Sequence, residues 1–176
     1  MTVATGEGAD PAEVAARSHA GFDAWVRPHL PSMRRLAARL SADADYEDLV
    51  QEALERAWRR WETYDPERGS AAGWLLAIVK DRVVRERRAR RLATVGLEQA
   101  PDRGAFDQQR DLDLERAIDK LPRRQRLAVD LHYFVGLDVK VCAEVMNCAE
   151  GTVKATLHKA RLRLSRELEE GPGDGR

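Results

Sequence analysis

The last third of the chain carries residues whose types and spacing suit contacts with DNA. Residues 136–163 predict a short helix, a tight turn and a second helix. Ala143 is small enough for the two helices to approach closely, Asn147 can adopt the positive φ of the turn, and Val153 faces inward. This spacing is typical of a helix-turn-helix whose second helix enters the major groove.

The outward face of that second helix is predicted to hold side chains that reach base edges and phosphates. Its residues are Gly151, Lys154, Ala155 and His158, followed by Lys159 and Arg161. An ordinary helical hairpin with a solvated basic face is the alternative that the spacing alone leaves open.

The net charge of zero conceals an alternation of basic and acidic segments. Residues 71–91 and 121–166 each carry +5, whereas residues 1–70 carry −4 and residues 92–120 and 167–176 each carry −3. Local charge governs phosphate binding, because screening limits its reach to about 8–10 Å. The pattern predicts two DNA-facing patches and an acidic surface for a different purpose.

A strongly amphipathic helix is predicted over residues 45–61, with apolar residues at helical spacing. Its polar face has acids at the N-terminal end and arginines at the C-terminal end, which suits the helix dipole. We expect two i,i+4 ion pairs on this face, Glu52 with Arg56 and Glu55 with Arg59. Taken by itself, solvation accounts for the polar face as well as partner binding does.

A second helix, from about Ala71 to Arg91, begins apolar and ends rich in arginine. Trp74, Leu75, Ile78, Val79 and Val83 are predicted to pack inward. Six arginines and one acid, Glu86, occupy the last ten residues: Arg82, Arg85, Arg87, Arg88, Arg90 and Arg91. This composition favours a surface that follows phosphates over a merely solvated helix end.

The remaining composition excludes several classes of protein. The chain shows no transmembrane run, no secretion signal, no glycine-rich phosphate loop and no nucleophile with a partnered base, so a cytoplasmic, non-catalytic protein is expected. The four histidines lack metal-ligand spacing, and no metal or cofactor is predicted. Cys142 and Cys148 are expected to act as small buried hydrophobes, although a redox role stays open.

No strand-like alternation of useful length occurs, so the predicted fold class is all-α. We expect a disordered leader over residues 1–19, helical domains over 20–91 and 111–168, a flexible linker over 92–110, and a disordered acidic tail over 169–176.

Five stretches in order resemble the bacterial RNA polymerase sigma factors of the small extracytoplasmic-function (ECF) class, over roughly residues 20–168. They are Asp48-Leu49-Val50-Gln51-Glu52 with Arg56-Ala57-Trp58; Trp74-Leu75; Leu121-Pro122-x-x-Gln125-Arg126; Tyr133-Phe134-x-Gly136-Leu137; and Gly151-Thr152-Val153-Lys154 with Leu157-His158-x-Ala160-Arg161.

The resemblance implies a region 2 domain that binds core polymerase and melts the −10 element, and a region 4 domain that reads the −35 element. The positions that match core-polymerase contacts are Asp48, Gln51, Glu52 and Arg56. Loop 62–72 matches the part that captures flipped bases of the non-template strand. The positions that match the −10 DNA face are Lys80, Asp81, Val84, Arg85 and Arg88. The −35 positions are Thr152, Lys154, Ala155, His158, Lys159 and Arg161.

The linker resembles a segment that threads toward the polymerase active-site channel, and an unstructured spacer is the alternative. Many relatives are held by an anti-sigma protein, which makes such a protein a possible partner.

A helix-turn-helix regulator that binds operator DNA without polymerase is the alternative function, but it leaves the arginine-rich helix and the polar face of residues 45–61 unexplained.

The chain departs from the family's pattern at several positions. Asp81 stands where Asn is common, so a side chain that only accepts hydrogen bonds replaces one that also donates. Asp138 replaces the usual Ser or Thr cap, Ala149 replaces a capping Ser, Asn147 stands where Gly is usual, and Thr156 replaces a common Arg. We expect these changes to affect promoter choice more than fold.

Overall fold

The computed structural model describes residues 18–41, 46–93 and 112–169, and every regular element in these ranges is helical. The all-α prediction is therefore confirmed. Most of the leader, most of the linker and nearly all of the acidic tail lie outside the described residues. Ser18, predicted to belong to the leader, caps the first helix by accepting a hydrogen bond from the Gly21 backbone N–H at 3.2 Å.

Two prolines divide the first helical segment into two helices separated by a short turn. Helix α1 spans His19–Val26, a 3₁₀ turn spans Arg27–His29, and helix α2 spans Leu30–Leu40. Pro28 lies in the 3₁₀ turn and Pro31 in the first turn of α2, where the missing backbone N–H costs no helical hydrogen bond.

Two longer helices complete the N-terminal half. Helix α3 spans Tyr46–Arg60 and continues into a 3₁₀ turn, Trp61–Thr63. A loop then leads to helix α4, Ala71–Ala93, which packs against both α2 and α3. The predicted inward residues of α4 are buried, apart from Trp74, which is half-buried.

The C-terminal half consists of shorter helices around one long one. Helix α5 spans Leu112–Asp119, helix α6 spans Arg123–Val129, a π-helical turn spans Asp130–Phe134, and helix α7 spans Val139–Met146. Helix α8, Glu150–Glu169, is the central helix of this half and contacts α5, α6 and α7.

The predicted helix-turn-helix is formed by α7 and α8. Asp138 caps α7 by accepting from the Val141 N–H at 2.7 Å, which confirms that it serves as a cap. Asn147 has φ 49°, the left-handed conformation expected at the turn. The Cys148 N–H donates to the Ala143 carbonyl at 3.0 Å and closes the C-terminus of α7. Ala149 supplies only its backbone carbonyl to the start of α8.

The two halves pack against each other. One apolar cluster includes buried residues of both, and α4 of the first half contacts α7 of the second. This arrangement brings residues far apart in sequence into direct contact.

A buried ion cluster crosses the same interface. Arg39 of α2 is 5% exposed, and its Nε donates to Asp130 Oδ1 at 2.6 Å. Its Nη1 donates to both carboxylate oxygens of Glu115 at 2.8 Å. The guanidinium carbon also lies 3.7 Å from the centroid of the Phe134 ring. Arg39 is therefore enclosed by partners from the C-terminal half.

Candidate nucleic-acid interface

The predicted reading face of α8 is open to solvent. All the predicted −35 residues are exposed: Thr152, Lys154, Ala155, His158, Lys159 and Arg161. Behind them Val153 and Leu157 are buried, so the interior of the half fixes the orientation of the helix. The Thr156 hydroxyl donates to the Thr152 carbonyl at 2.7 Å. This geometry presents a continuous polar and basic helix face of the kind that enters a DNA groove.

The polar face of α3 is also exposed. Asp48, Gln51 and Glu52 are exposed and Arg56 is half-buried, while the apolar stripe of the helix packs inward. The Glu55–Arg59 pair is formed at 3.0 Å, as expected.

The predicted Glu52–Arg56 pair is replaced by a bond between helices. Glu52 accepts a hydrogen bond from Arg82 of α4, and that bond lowers the pKa of the Glu52 carboxyl. The i,i+4 rule describes pairs within one helix. Because α3 packs against α4, Glu52 of α3 reaches Arg82 on the neighbouring helix instead.

The predicted −10 residues divide into an open group and an engaged one. Val84, Arg85 and Arg88 are exposed, with Val84 at 57%. Asp81 is exposed and lies 3.3 Å from the Lys80 ammonium. Lys80 itself is half-buried, and its Nζ donates at 2.9 Å to the carbonyl of Val145 in α7. One predicted DNA contact is therefore occupied by the C-terminal half.

The arginine-rich end of α4 is only partly available to phosphates. Arg82 bonds Glu52 and, at 3.0 Å, Glu86. Arg87 donates to the Leu40 carbonyl at the end of α2. Both arginines are thus engaged within the free chain, and the phosphate-following surface that the sequence indicates stays a prediction. Arg85 and Arg88 remain exposed, and the side chains of Arg90 and Arg91 lie outside the described residues.

A cavity of about 490 Å³ lies between the loop before α4 and the end of α7. Tyr64 and Trp74 line it with ring centroids 5.6 Å apart. Ser70 and Gly73 line it at the start of α4, and Glu144 enters it from α7. The loop belongs to the segment that the sequence matched to base capture, and aromatic side chains are a common platform on which unpaired bases stack.

Sequence reasoning missed Glu144 and the Arg39 cluster. A signal was present for each. Gly73 inside an apolar helix indicates a close approach by another group, and Arg39 and Asp130 are charges set among apolar residues. The sequence does not reveal that the partners come from the other half of the chain.

The two cysteines differ in burial. Cys142 is fully buried, and burial raises the pKa of its thiol to about 11. Cys148 is half-buried, and both cysteines are free. In the ranges that the structure describes, no three potential metal ligands cluster, and no helix is long and apolar enough to cross a membrane.

Comparison with known families accounts for both halves. The family "Sigma-70 region 2" matches residues 25–93, and the family "Sigma-70, region 4" matches residues 111–164. The RNA polymerase sigma-E factor of Streptomyces coelicolor is 35% identical over 152 residues, which are 84% of this chain and 85% of that protein. The ECF RNA polymerase sigma factor SigL of Mycobacterium tuberculosis is 31% identical, over 81% of this chain and 85% of its own.

The fold leads to the same family. The sigma factor RpoE of Bartonella quintana, solved in complex with the anti-sigma factor NepR, superposes with a TM-score of 0.67 at 28% identity, over 86% of this chain and 98% of that one. CnrH, solved with the cytosolic domain of CnrY, shares the fold at a TM-score of 0.66. The chain belongs to the RNA polymerase sigma factors of the ECF class, alternative sigma factors that direct promoter-specific transcription with RNA polymerase.

Proposed function

We propose that this sigma factor binds core polymerase through the exposed face of α3. Asp48, Gln51 and Glu52 form the proposed contact, with Arg56 at its edge. Support comes from their exposure on a helix whose other face is buried. The carboxylates suit a basic partner surface, and Glu52 contributes while bonded to Arg82.

The −35 element is proposed to bind the open face of α8. Lys154, Ala155 and His158 point to base edges, with Thr152, Lys159 and Arg161 toward the backbone. The exposure of this whole face above a buried Val153–Leu157 stripe is the single observation that carries the proposal.

The −10 element is proposed to contact α4 through Val84, Arg85 and Arg88, with Lys80 and Asp81 nearer the cavity. An unpaired base would enter that cavity against Tyr64 and Trp74. In this proposal the chain performs no catalysis, since RNA synthesis belongs to the polymerase, and it acts in the cytoplasm with the polymerase. An anti-sigma protein is proposed as a further partner, because RpoE, with the same fold, was solved bound to one.

Polymerase binding is tested with Asp48→Arg, which places a cation on the proposed acidic face. We expect at least a tenfold loss of affinity for core polymerase, since like charges at an interface repel. The measurement is a pull-down followed by run-off transcription. Asp23→Arg, a charge reversal at an exposed position of α1, is the matched control and should bind normally. Unchanged binding by Asp48→Arg would make the docking assignment wrong.

Promoter reading is tested with Lys154→Ala and His158→Ala. Each should lower initiation from cognate promoters about tenfold, the usual worth of one base contact, while polymerase binding stays normal. Arg166→Ala, an exposed change further along α8, is the control. If the purified chain instead occupied a palindromic operator unaided and programmed no polymerase, it would be a conventional regulator.

A further inference from the structure

Glu144 of α7 lines the cavity before α4, and its carboxylate is hydrogen-bonded there. One of its carboxylate oxygens, Oε2, accepts from the Ser70 backbone N–H at 3.1 Å and also from the Ser70 hydroxyl. The Ser70 Oγ in turn accepts from the Gly73 N–H at 3.0 Å. The carboxylate therefore satisfies donors at the N-terminus of α4, where a negative charge is favoured.

The absence of a side chain at Gly73 is what permits this approach. A Cβ atom at position 73 would lie 2.8 Å from the Cβ of Glu144. The Glu144 Cβ is fixed to the α7 backbone, so a larger residue could be accommodated only if α7 moved. A glycine within a helix costs conformational entropy, and Gly73 in the first turn of α4 is explained by the close packing between the halves.

A second contact holds the same edge of α7. Lys80 Nζ donates to the Val145 carbonyl at 2.9 Å, one residue beyond Glu144. Glu144 and Val145 thus engage two successive parts of α4, the N-terminal turn and the start of the proposed −10 face. The −35 face of α8 remains exposed in this arrangement.

We propose that Glu144 is an internal competitor for the melted −10 strand, holding the free chain closed with the Ser70 donors occupied and the −35 face open. This rests on the proposed function, in which the cavity takes an unpaired base. In the closed chain the carboxylate occupies the Ser70 donors that a nucleotide entering the cavity would need. Opening the halves vacates those donors and releases Lys80 at the same time.

The test uses the full chain and two variants that open it by different routes. Glu144→Ala removes the carboxylate, and Gly73→Ala keeps it but adds the obstructing Cβ. Small-angle X-ray scattering reports closure, and fluorescence anisotropy reports binding of a labelled, sequence-randomised single-stranded 12-mer DNA. We expect both variants to increase the radius of gyration and Glu144→Ala to bind the DNA about tenfold more tightly, because bonds to a charged group shift an equilibrium by roughly this factor.

Glu167→Gln is the matched control, because it also removes one negative charge but lies at the far end of α8, paired with Lys120. It should leave the scattering and the DNA affinity near their wild-type values. The proposal is overturned if the radius of gyration stays at the wild-type value in both opening variants. It is equally overturned if Glu144→Ala binds the DNA no more tightly than Glu167→Gln does. Run-off transcription by the wild type separates this failure from a failure of the proposed function, which would abolish programmed initiation altogether.

Discussion

At the scale of single residues, the side chain that ties the chain together is Arg39. It is a buried cation with two carboxylate partners and an aromatic ring, all from the other half. A buried charge is tolerated only when its partners offset the loss of water, so each member of such a cluster depends on the others.

Arg39→Ala should therefore lower the free energy of unfolding by about 3–5 kcal/mol, because it leaves Asp130 buried without its cation. Denaturant unfolding followed by circular dichroism measures the change. Arg27→Ala, which removes an exposed arginine paired with Asp23 four residues earlier, is the control and should leave the free energy of unfolding close to the wild-type value. A loss for Arg39→Ala as small as that of the control would show that the cluster contributes little to stability.

The two thiols should differ in reactivity. Cys142 is fully buried with its pKa raised to about 11, so at pH 8 only about a thousandth of it is thiolate, whereas Cys148 is half-buried. A thiol reagent at pH 8 should modify Cys148 first and Cys142 only after unfolding, as measured by mass spectrometry of digested protein. Equal rates in the native chain would restore Cys142 as a candidate redox sensor.

The same thiol gives a pH dependence with a definite sign. Its pKa in the folded chain, about 11, lies above the ordinary value of 9.0, so between these values the folded state holds a proton that the unfolded state has lost. Stability from this group is complete below pH 9 and declines as the pH rises toward 11. The Cys142→Ala variant should therefore lose less stability than the wild type between pH 9 and pH 11. Denaturant unfolding of both proteins across this pH range measures the difference.

At the scale of elements, the helix-turn-helix has one well-capped start and one weak start. Asp138 accepts a backbone hydrogen bond at the beginning of α7, whereas Ala149 before α8 has no side-chain acceptor to offer. The reading helix thus begins with less local support than the helix that precedes it.

Asp138→Ala and Ala149→Ser should move stability in opposite directions, each by about 1 kcal/mol. The first removes a capping acceptor, and the second supplies one to the N–H groups in the first turn of α8. Thermal unfolding of both variants and of the double variant checks this, and the two effects should nearly cancel in the double variant. A stability loss in Ala149→Ser would mean that the start of α8 has no room for a serine rotamer that caps.

At the scale of the whole molecule, the sequence predicted the long helices and the helix-turn-helix but not how the halves meet. The all-α class, the division at Pro28 and Pro31, and the turn at Asn147 follow from local rules, because proline geometry, helix periodicity and positive φ involve neighbouring residues. The Glu52–Arg82 bond, the Arg39 cluster and the Glu144 contact join distant parts of the chain. Rules that involve only neighbouring residues do not predict such long-range contacts. The sequence therefore predicted the sites of each half without the contacts that the other half makes.

The apolar cluster shared by both halves has a consequence for the life of the protein in the cell. If the halves separate, hydrophobic surface that was buried between them becomes exposed to solvent. The opened chain then aggregates unless another protein covers that surface. We expect an unaccompanied opened chain to be the form that housekeeping proteases destroy first. The amount of this protein in the cell would then depend on the fraction that is bound to a partner protein.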